Sequence, residues 1–167
     1  MTKKKNKRAD SRSLMVRKAS ESDVPDIVKL NMQLADYHRR IDEYYKSGKG
    51  RCSSFKPYIN EVMKKKNAKV LVAKIDSKVI GYLIGEIIPA RPYLTPKKIG
   101  KVANAFVDAK YQRCGAGKMM FSELIAWFKK NNIKHIELTV DVRNKIGISA
   151  WEKFGFKEYM KKMRLDL

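Results

Sequence analysis

Three apolar residues followed by two basic ones, Leu14-Met15-Val16-Arg17-Lys18, read as a short opening strand. Residues 20–23 read as a turn, with Asp23 placed to cap the helix that follows, Pro25 in its first turn and Asp26 near its positive end. Ile27, Leu30, Leu34 and Tyr37 or His38 then recur at helical spacing. Residues 47–54, rich in Gly and Ser, read as a loop, and 55–66 as a second helix carrying Ile59, Val62 and Met63 inward.

Residues 69–74 and 78–88 are apolar runs joined at Asp76-Ser77, which predicts an antiparallel hairpin. Three prolines make 89–96 a loop, and 99–107 is the next strand. A helix follows to about residue 130 with Met120, Leu124, Trp127 and Phe128 on its inner side, and Asn131-Asn132 stops it. Residues 133–140 read as a strand, 144–154 as a short helix closed by Gly155, and 156–167 as the last strand or strands. The strand–helix–strand unit over 102–140 favours a parallel, right-handed crossover beside the earlier antiparallel hairpin. The expected class is α/β (mixed α+β), a mixed twisted sheet with flanking helices. With no internal repeat and no linker, 14–167 is expected to be a single domain behind a disordered basic tail, 1–13.

Charge changes this picture more than composition does. Hydrophobic content is an ordinary 44%, but 38 Lys plus Arg face 17 Asp plus Glu, a formal +21. Without its first twelve residues the chain still holds 32 basic and 16 acidic side chains, so the body itself attracts anions: nucleic acid, acidic protein or a phosphorylated cofactor. No zinc-finger, RNP or helix-turn-helix pattern supports nucleic acid as the primary partner. Two cysteines (Cys52, Cys114), no signal peptide and no transmembrane run point to a reducing cytoplasm and to no membrane. No metal-ligand spacing is present.

The candidate chemistry lies in Tyr111-Gln112-Arg113-Cys114-Gly115-Ala116-Gly117-Lys118, between an apolar strand and a helix. Glycines at a helix mouth stand either for a tight turn or for bare N–H groups offered to a phosphate. The stretch is not a P-loop, because Gln112 stands where the first glycine belongs and Met119 where Ser or Thr belongs. It is not the dinucleotide fingerprint either, because Met120 occupies the third glycine position.

Gln112-Arg113-Cys114-Gly115-Ala116-Gly117 resembles the acyl-coenzyme A signature Q/R-x-x-G-x-G/A of the GNAT family of N-acetyltransferases. Asn104-Ala105-Phe106-Val107-Asp108 resembles the family's splayed fourth strand. Asn144 through Phe156 resembles its second motif, N-x-x-A-x-x-x-Y-x-K-x-G-F, and Val16 through Asp23 its opening strand and turn. The likeness runs from about Leu14 to Leu167 and implies the acyl-CoA N-acyltransferase fold, with acetyl-CoA as donor.

By that resemblance, the backbone of Phe106, Val107 and Asp108 pairs with the pantetheine arm, and Gln112, Arg113, Cys114, Gly115, Ala116, Gly117 and Lys118 cradle the pyrophosphate. Asn144 caps the second motif helix and contacts the cofactor arm. The implied reaction is direct attack of a neutral amine on the thioester, its carbonyl polarised by the Val107 N–H. Glu86 and Glu137 are candidate bases, and Asn104 a residue that could hold a water. Trp151 stands where many members carry a tyrosine that protonates the departing thiolate, and an indole lacks phenolic acidity. Either no side-chain acid acts, or Tyr111 or Tyr159 supplies one, or the chain binds coenzyme A without turnover in a regulatory role. Tyr37, His38, Tyr44, Tyr45, Phe55, Arg91 and Tyr93 are expected along the acceptor groove, and a peptide or small amine, with a carboxylate rather than as a polyamine, is the expected acceptor. A homodimer is the family's implication for assembly.

Overall fold

The computed structural model describes residues 13–167, so the basic tail lies, up to residue 12, outside the described residues. The elements are β1 (Leu14–Lys18), α1 (Val24–Ile41), α2 (Gly48–Lys64), β2 (Ala68–Ile75), β3 (Lys78–Pro89), β4 (Lys98–Val107), α3 (Ala116–Lys130), β5 (Ile136–Glu137) and α4 (Lys145–Lys153). Short 3₁₀ turns at Glu21–Asp23 and Ala109–Tyr111 lead into α1 and out of β4.

The strands lie in the order β1-β2-β3-β4-β5. The first four form an antiparallel meander, and β5 joins β4 in parallel after the α3 crossover. Because side chains alternate across a strand, the sheet has two apolar faces. On one, Val70, Val72, Tyr82 and Ile84 pack against Ile27 and Val28 of α1 and Phe55, Ile59 and Val62 of α2. On the other, Leu71, Leu83 and Val102 pack against Met120, Leu124 and Phe128 of α3.

The α3 stripe at i, i+4 and i+8 sits unusually deep because glycines floor the sheet beneath it. A Cβ at Gly85 would overlap Leu124, one at Gly100 would stand 2.9 Å from Phe128, and one at Gly81 3.3 Å from Met120. Two strand glycines in β3 and one in β4 thus form a trough that admits the helix.

The sheet parts at its far edge. β4 and β5 pair only through Gly100↔Ile136 and Lys101↔Glu137. In the next stretch Ile84 faces Asn104 and Gly85 faces Val102, which leaves Ala103 as an extra residue in β4. A bulge of this kind bends a strand and increases its twist. Beyond Lys101 the two strands no longer pair, and an opening is left between them.

Four boundaries differ from the sequence expectation. Helix α2 begins at Gly48, capped by Ser47 Oγ, which accepts from Gly50 N–H, so most of the expected loop over 47–54 is helical and Pro57 lies inside the helix. The strand expected over 133–140 is reduced to Ile136–Glu137. Residues 156–167 form no ladder, since β5 offers only two paired residues and no continuing edge. Asp23 does not cap α1 with its side chain.

Instead, Asp23 locks the entry to α1. It is 3% exposed and accepts from Arg17 Nη1 and Nη2 at 2.7 and 2.9 Å, from Ser20 N–H at 2.8 Å and from Ser20 Oγ at 2.9 Å. Burial pushes its carboxyl upward, but the bonds from Arg17 and Ser20 outweigh it and hold the group at about 2.

Two predictions follow from this packing. Gly85→Val should lower stability by about 1–3 kcal/mol by overfilling the trough. Denaturant unfolding of Gly85→Val, Leu124→Ala and the double variant should show the two losses summing to more than the double variant's loss. The depressed Asp23 group stabilises the fold fully above its unfolded value, and this contribution disappears as pH falls through the folded value. The stability gap between the natural chain and Asp23→Asn should therefore be about 1–3 kcal/mol at pH 7 and should close between about pH 4 and pH 2.

Candidate functional site

The N-terminus of α3 is built to present backbone donors. Gly115 adopts φ +93°, a left-handed conformation that favours glycine, and its carbonyl accepts from Met119 N–H at 3.0 Å. Arg113 is also left-handed, with φ +66°. The N–H groups from Arg113 to Lys118 have no acceptor among the described residues. A Cβ on Gly117 would meet nothing within 4 Å, so the space in front of these amides is open. Ala116 is buried and anchors the turn, whereas Cys114 is exposed. A groove of about 500 Å³, lined by Val16, Gly115, Lys118, Met119, Ser122 and Glu123, runs beside it. Unsatisfied amides, a helix carrying roughly half a positive charge at this end, and Lys118 together make an anion cradle.

The cradle stands at the end of β4 where the sheet is open. Asp108 N–H donates to Ile80 O at 2.9 Å, toward β3. Backbone groups of successive strand residues point to opposite sides, so Phe106 also turns toward β3 and Val107 turns its N–H into the opening. The Val107 carbonyl accepts from Gln112 Nε2 at 3.4 Å, which ties the glycine stretch to the strand. Of Phe106, Val107 and Asp108, Val107 is thus the one whose backbone faces the opening.

Across the opening, Asn144 caps α4. Its Oδ1 accepts from Gly147 N–H at 2.9 Å and from the Tyr37 hydroxyl at 3.1 Å, so α1 reaches the second motif directly. Trp151, in the last turn of the same helix, packs in an aromatic cluster with Phe121, Phe154 and Phe156, at centroid distances of 6.0, 5.9 and 5.6 Å. Its ring belongs to the α3 face of the core.

The α1–α2 face of the sheet carries the polar groups. Tyr82, fully buried, donates to Asn104 Oδ1 at 2.6 Å and accepts from Asn31 Nδ2 at 2.9 Å. Asn31 Oδ1 is buried and has no partner. Burial pushes the Tyr82 phenol well above its ordinary value, so it remains a neutral donor. Glu86 accepts from the Tyr58 hydroxyl of α2 at 3.2 Å. Burial and the Glu86 charge together raise Tyr58, which keeps that proton on the phenol.

The remaining expected residues separate into two groups. Arg91 and Glu137 come together as an ion pair at 3.0 Å, joined by the Tyr159 hydroxyl, which lies 3.4 Å from Arg91 Nη1. They lie level with the paired end of β4 and β5, away from the cradle at the other end of β4. His38 is stacked between Tyr37 and Tyr45, at 5.9 and 5.2 Å. Burial holds it below its ordinary value against the opposing pull of Asp141, with Arg51 adding to the depression. Tyr44 is exposed under the Arg164 guanidinium at 4.7 Å, and Tyr93 is exposed in the loop after β3.

Sequence reasoning missed Asn31, Arg51, Tyr58, Tyr82 and the ion network that pins the loop after α1. In that network Arg143 Nη2 pairs with Asp42 at 2.8 Å and Asp141 at 2.9 Å, while Asp141 accepts from the Tyr45 hydroxyl at 2.9 Å. The signal for Arg51 and Tyr58 was Ser47 as an N-cap, which sets the helical register 51, 55, 58, 62. Among the described residues no group of three or more His, Cys, Asp or Glu side chains is placed to hold a metal ion, and no helix is long and apolar enough to cross a membrane.

Comparison with known proteins gives one family. Residues 34–156 match the model of the acetyltransferase (GNAT) family. An uncharacterised N-acetyltransferase of Methanocaldococcus jannaschii is 23% identical over 143 residues, which cover 86% of this chain but 60% of that relative. An N-alpha-acetyltransferase of Sulfurisphaera tokodaii is 30% identical over 152 residues, covering 86% of this chain and 80% of the relative. The crystal structure of a tetramutant of the BH1408 protein of Bacillus halodurans superposes with a TM-score of 0.80 at 21% identity, covering 92% of this chain and 99% of that one. An acetyltransferase of Clostridium acetobutylicum, solved with acetyl-CoA, superposes with a TM-score of 0.72 at 21% identity, covering 92% and 96%. These superpositions share the mixed sheet and flanking helices described above.

Tyr82→Phe should cost about 1–3 kcal/mol, because it strands Asn31 Nδ2 and Asn104 Oδ1 without a partner while keeping the ring in place. Thermal unfolding measures the loss. The triple exchange that also makes Asn31 and Asn104 leucine should recover part of it if the cost is one of unpaired polar groups.

Proposed function

The chain belongs to the acetyltransferase (GNAT) family, and on that footing we propose that it is an acetyl-CoA-dependent N-acetyltransferase acting on the primary amine of a small molecule or peptide. The observation that carries this reading is a juxtaposition. The open amides of residues 113–118 stand at the end of the same strand whose Val107 N–H faces the gap between β4 and β5. A related fold solved with acetyl-CoA, and a relative described as an N-alpha-acetyltransferase, are consistent with it.

The cradle fits a pyrophosphate by its own geometry. Gly117 leaves the approach clear, Gly115 supplies the left-handed turn, and the amides of Arg113 through Lys118 have hydrogen bonds to give. Bound acetyl-CoA would supply an activated acyl group as a thioester. The chain's own part is placement and proton management. Val107 N–H is a fixed donor in the opening, available to a carbonyl oxygen on which negative charge develops. Asn144 braces the opposite wall through Tyr37 and Gly147.

An amine arrives mostly as ammonium and must lose a proton before it attacks. Glu86 is the base in this reading, because its carboxylate lies on the α1–α2 face and is steadied by Tyr58. Glu137 is already committed to Arg91, which makes it the weaker candidate. Asn104 uses Oδ1 for Tyr82 and keeps its amide N–H groups to orient a water or the amine. Trp151 packs into the core, and Tyr37, held at the N-cap of α4, is the phenol we assign to protonate the leaving thiolate in its stead.

Gly117→Glu tests the donor site, since it sets a carboxylate where a phosphate belongs without touching a neighbour. Coenzyme A affinity measured by calorimetry should fall by more than about 100-fold, with the unfolding temperature unchanged. Unaltered affinity would mean that the cradle holds something else. Thioester consumption over a panel of amines and peptides tests the transfer itself. Tight coenzyme A binding with no turnover on any acceptor would leave a binding protein in place of an enzyme.

A further inference from the structure

The acceptor site holds a charge that the proposed chemistry does not use. Arg51 lies in the first turn of α2, one turn before Phe55 and two before Tyr58, with its side chain exposed. Its guanidinium carbon stands 5.8 Å from the centre of the Phe55 ring. That ring packs at 5.7 Å against Tyr58, which donates to Glu86, and at 6.1 Å against Tyr82, which donates to Asn104. Among the described residues no carboxylate pairs with Arg51, although Arg17, Arg91, Arg143 and Arg164 all have acidic partners. Burial dominates the environment of His38, Tyr58 and Tyr82, but the Arg51 charge also reaches all three, from α1, α2 and β3.

We propose that Arg51 is a specificity-determining residue of the acceptor site, and that the acceptor is an amine bearing a carboxylate a few bonds from its nucleophilic nitrogen. The inference rests on the acetyltransferase reading given above. Glu86 and Arg51 offer an anion and a cation joined by one set of aromatic rings, so they match a molecule that carries both an ammonium and a carboxylate. Guanidinium takes a carboxylate through two parallel hydrogen bonds, and the Phe55 ring beside it gives the guanidinium plane a surface to rest on. A polyamine meets no second anchor here and is repelled both by Arg51 and by a body with 32 basic and 16 acidic side chains. The same chemistry comes either from a peptide with an acidic residue at or next to its free N-terminus or from a small amino acid.

Calorimetry on the full chain saturated with coenzyme A distinguishes these sources. One arm compares tetrapeptide amides with Glu or Gln beside a free N-terminus. The other compares 4-aminobutyrate and β-alanine with their amides. In at least one arm the acidic twin should bind about 10-fold or more tightly than its amide. Arg51→Gln should remove that preference while coenzyme A affinity and unfolding temperature hold. Equal binding of the twins by the natural chain, no binding of either, or a preference that survives in Arg51→Gln overturns the proposal. If the preference depends on Arg51 but no acceptor is acetylated, the transfer reading falls and the carboxylate site stands.

Discussion

The seating of α3 in its glycine trough is the constraint on which the rest of this structure depends. Met120, Leu124 and Phe128 descend into β3 and β4 where Gly81, Gly85 and Gly100 have no side chains. A helix held this close cannot slide, because each residue of its stripe has its own notch. Its first turn is thereby fixed at the end of β4, and with it the amides of residues 113–118. The anion cradle is precise because the apolar stripe about two turns long behind it is precise. A loop of the same sequence on a loosely packed helix would have the same donors and no fixed direction for them.

The two faces of the sheet carry different burdens. The α3 face is apolar and sets position. The α1–α2 face admits polar groups, each given a partner: Tyr82 between Asn31 and Asn104, and Glu86 under Tyr58. Such groups are costly to bury unless bonded, and their bonds orient them in return. The bulge at Ala103 lies between these worlds. It follows directly on the last pair between β4 and β5, so the strand turns away as it reaches Asn104. One extra residue therefore opens the sheet edge beside Asn104.

Local signals made much of this legible. The apolar runs of β2 and β3, the i, i+4, i+8 stripe of α3, the glycine stretch and the Asn144 cap each depend on neighbours in sequence, and each is present in the fold. The start of α2 was hidden because Gly48, Gly50, Ser53 and Ser54 have the composition of a loop, while Pro57 is acceptable only in a first turn by local rules. Tertiary packing of Phe55, Ile59 and Val62 overrides both. Residues 156–167 show the opposite failure. Their Phe, Tyr, Met and Leu residues between charged ones give a strand signal, but a strand exists only with a partner, and β5 stops after two pairs. The site followed the same division. Cradle and cap could be read in the chain, whereas the Asn31–Tyr82–Asn104 bonds join three distant segments and leave no trace in spacing.

Ion pairing then decides which charges remain available to a ligand. Asp42 draws in Arg143 and Arg164, and Asp141 takes Arg143 and the Tyr45 hydroxyl, so the loop after α1, the segment before α4 and the chain end are bound to one another. The Tyr44 backbone N–H, Arg143 and Arg164 hold Asp42 low, and Arg143 chiefly holds Asp141 low, so both are anions at neutral pH. These exposed pairs add little stability singly, but as a network they fix the wall that carries Tyr37 and His38. Arg17, Arg91, Arg143 and Arg164 are paired with carboxylates in this way, and the other arginines among the described residues are not. Arg51, exposed beside the Phe55 ring, stays outside this network. Steering by the whole surface brings anions near, and the geometry of α2 determines which of them finds a matching partner.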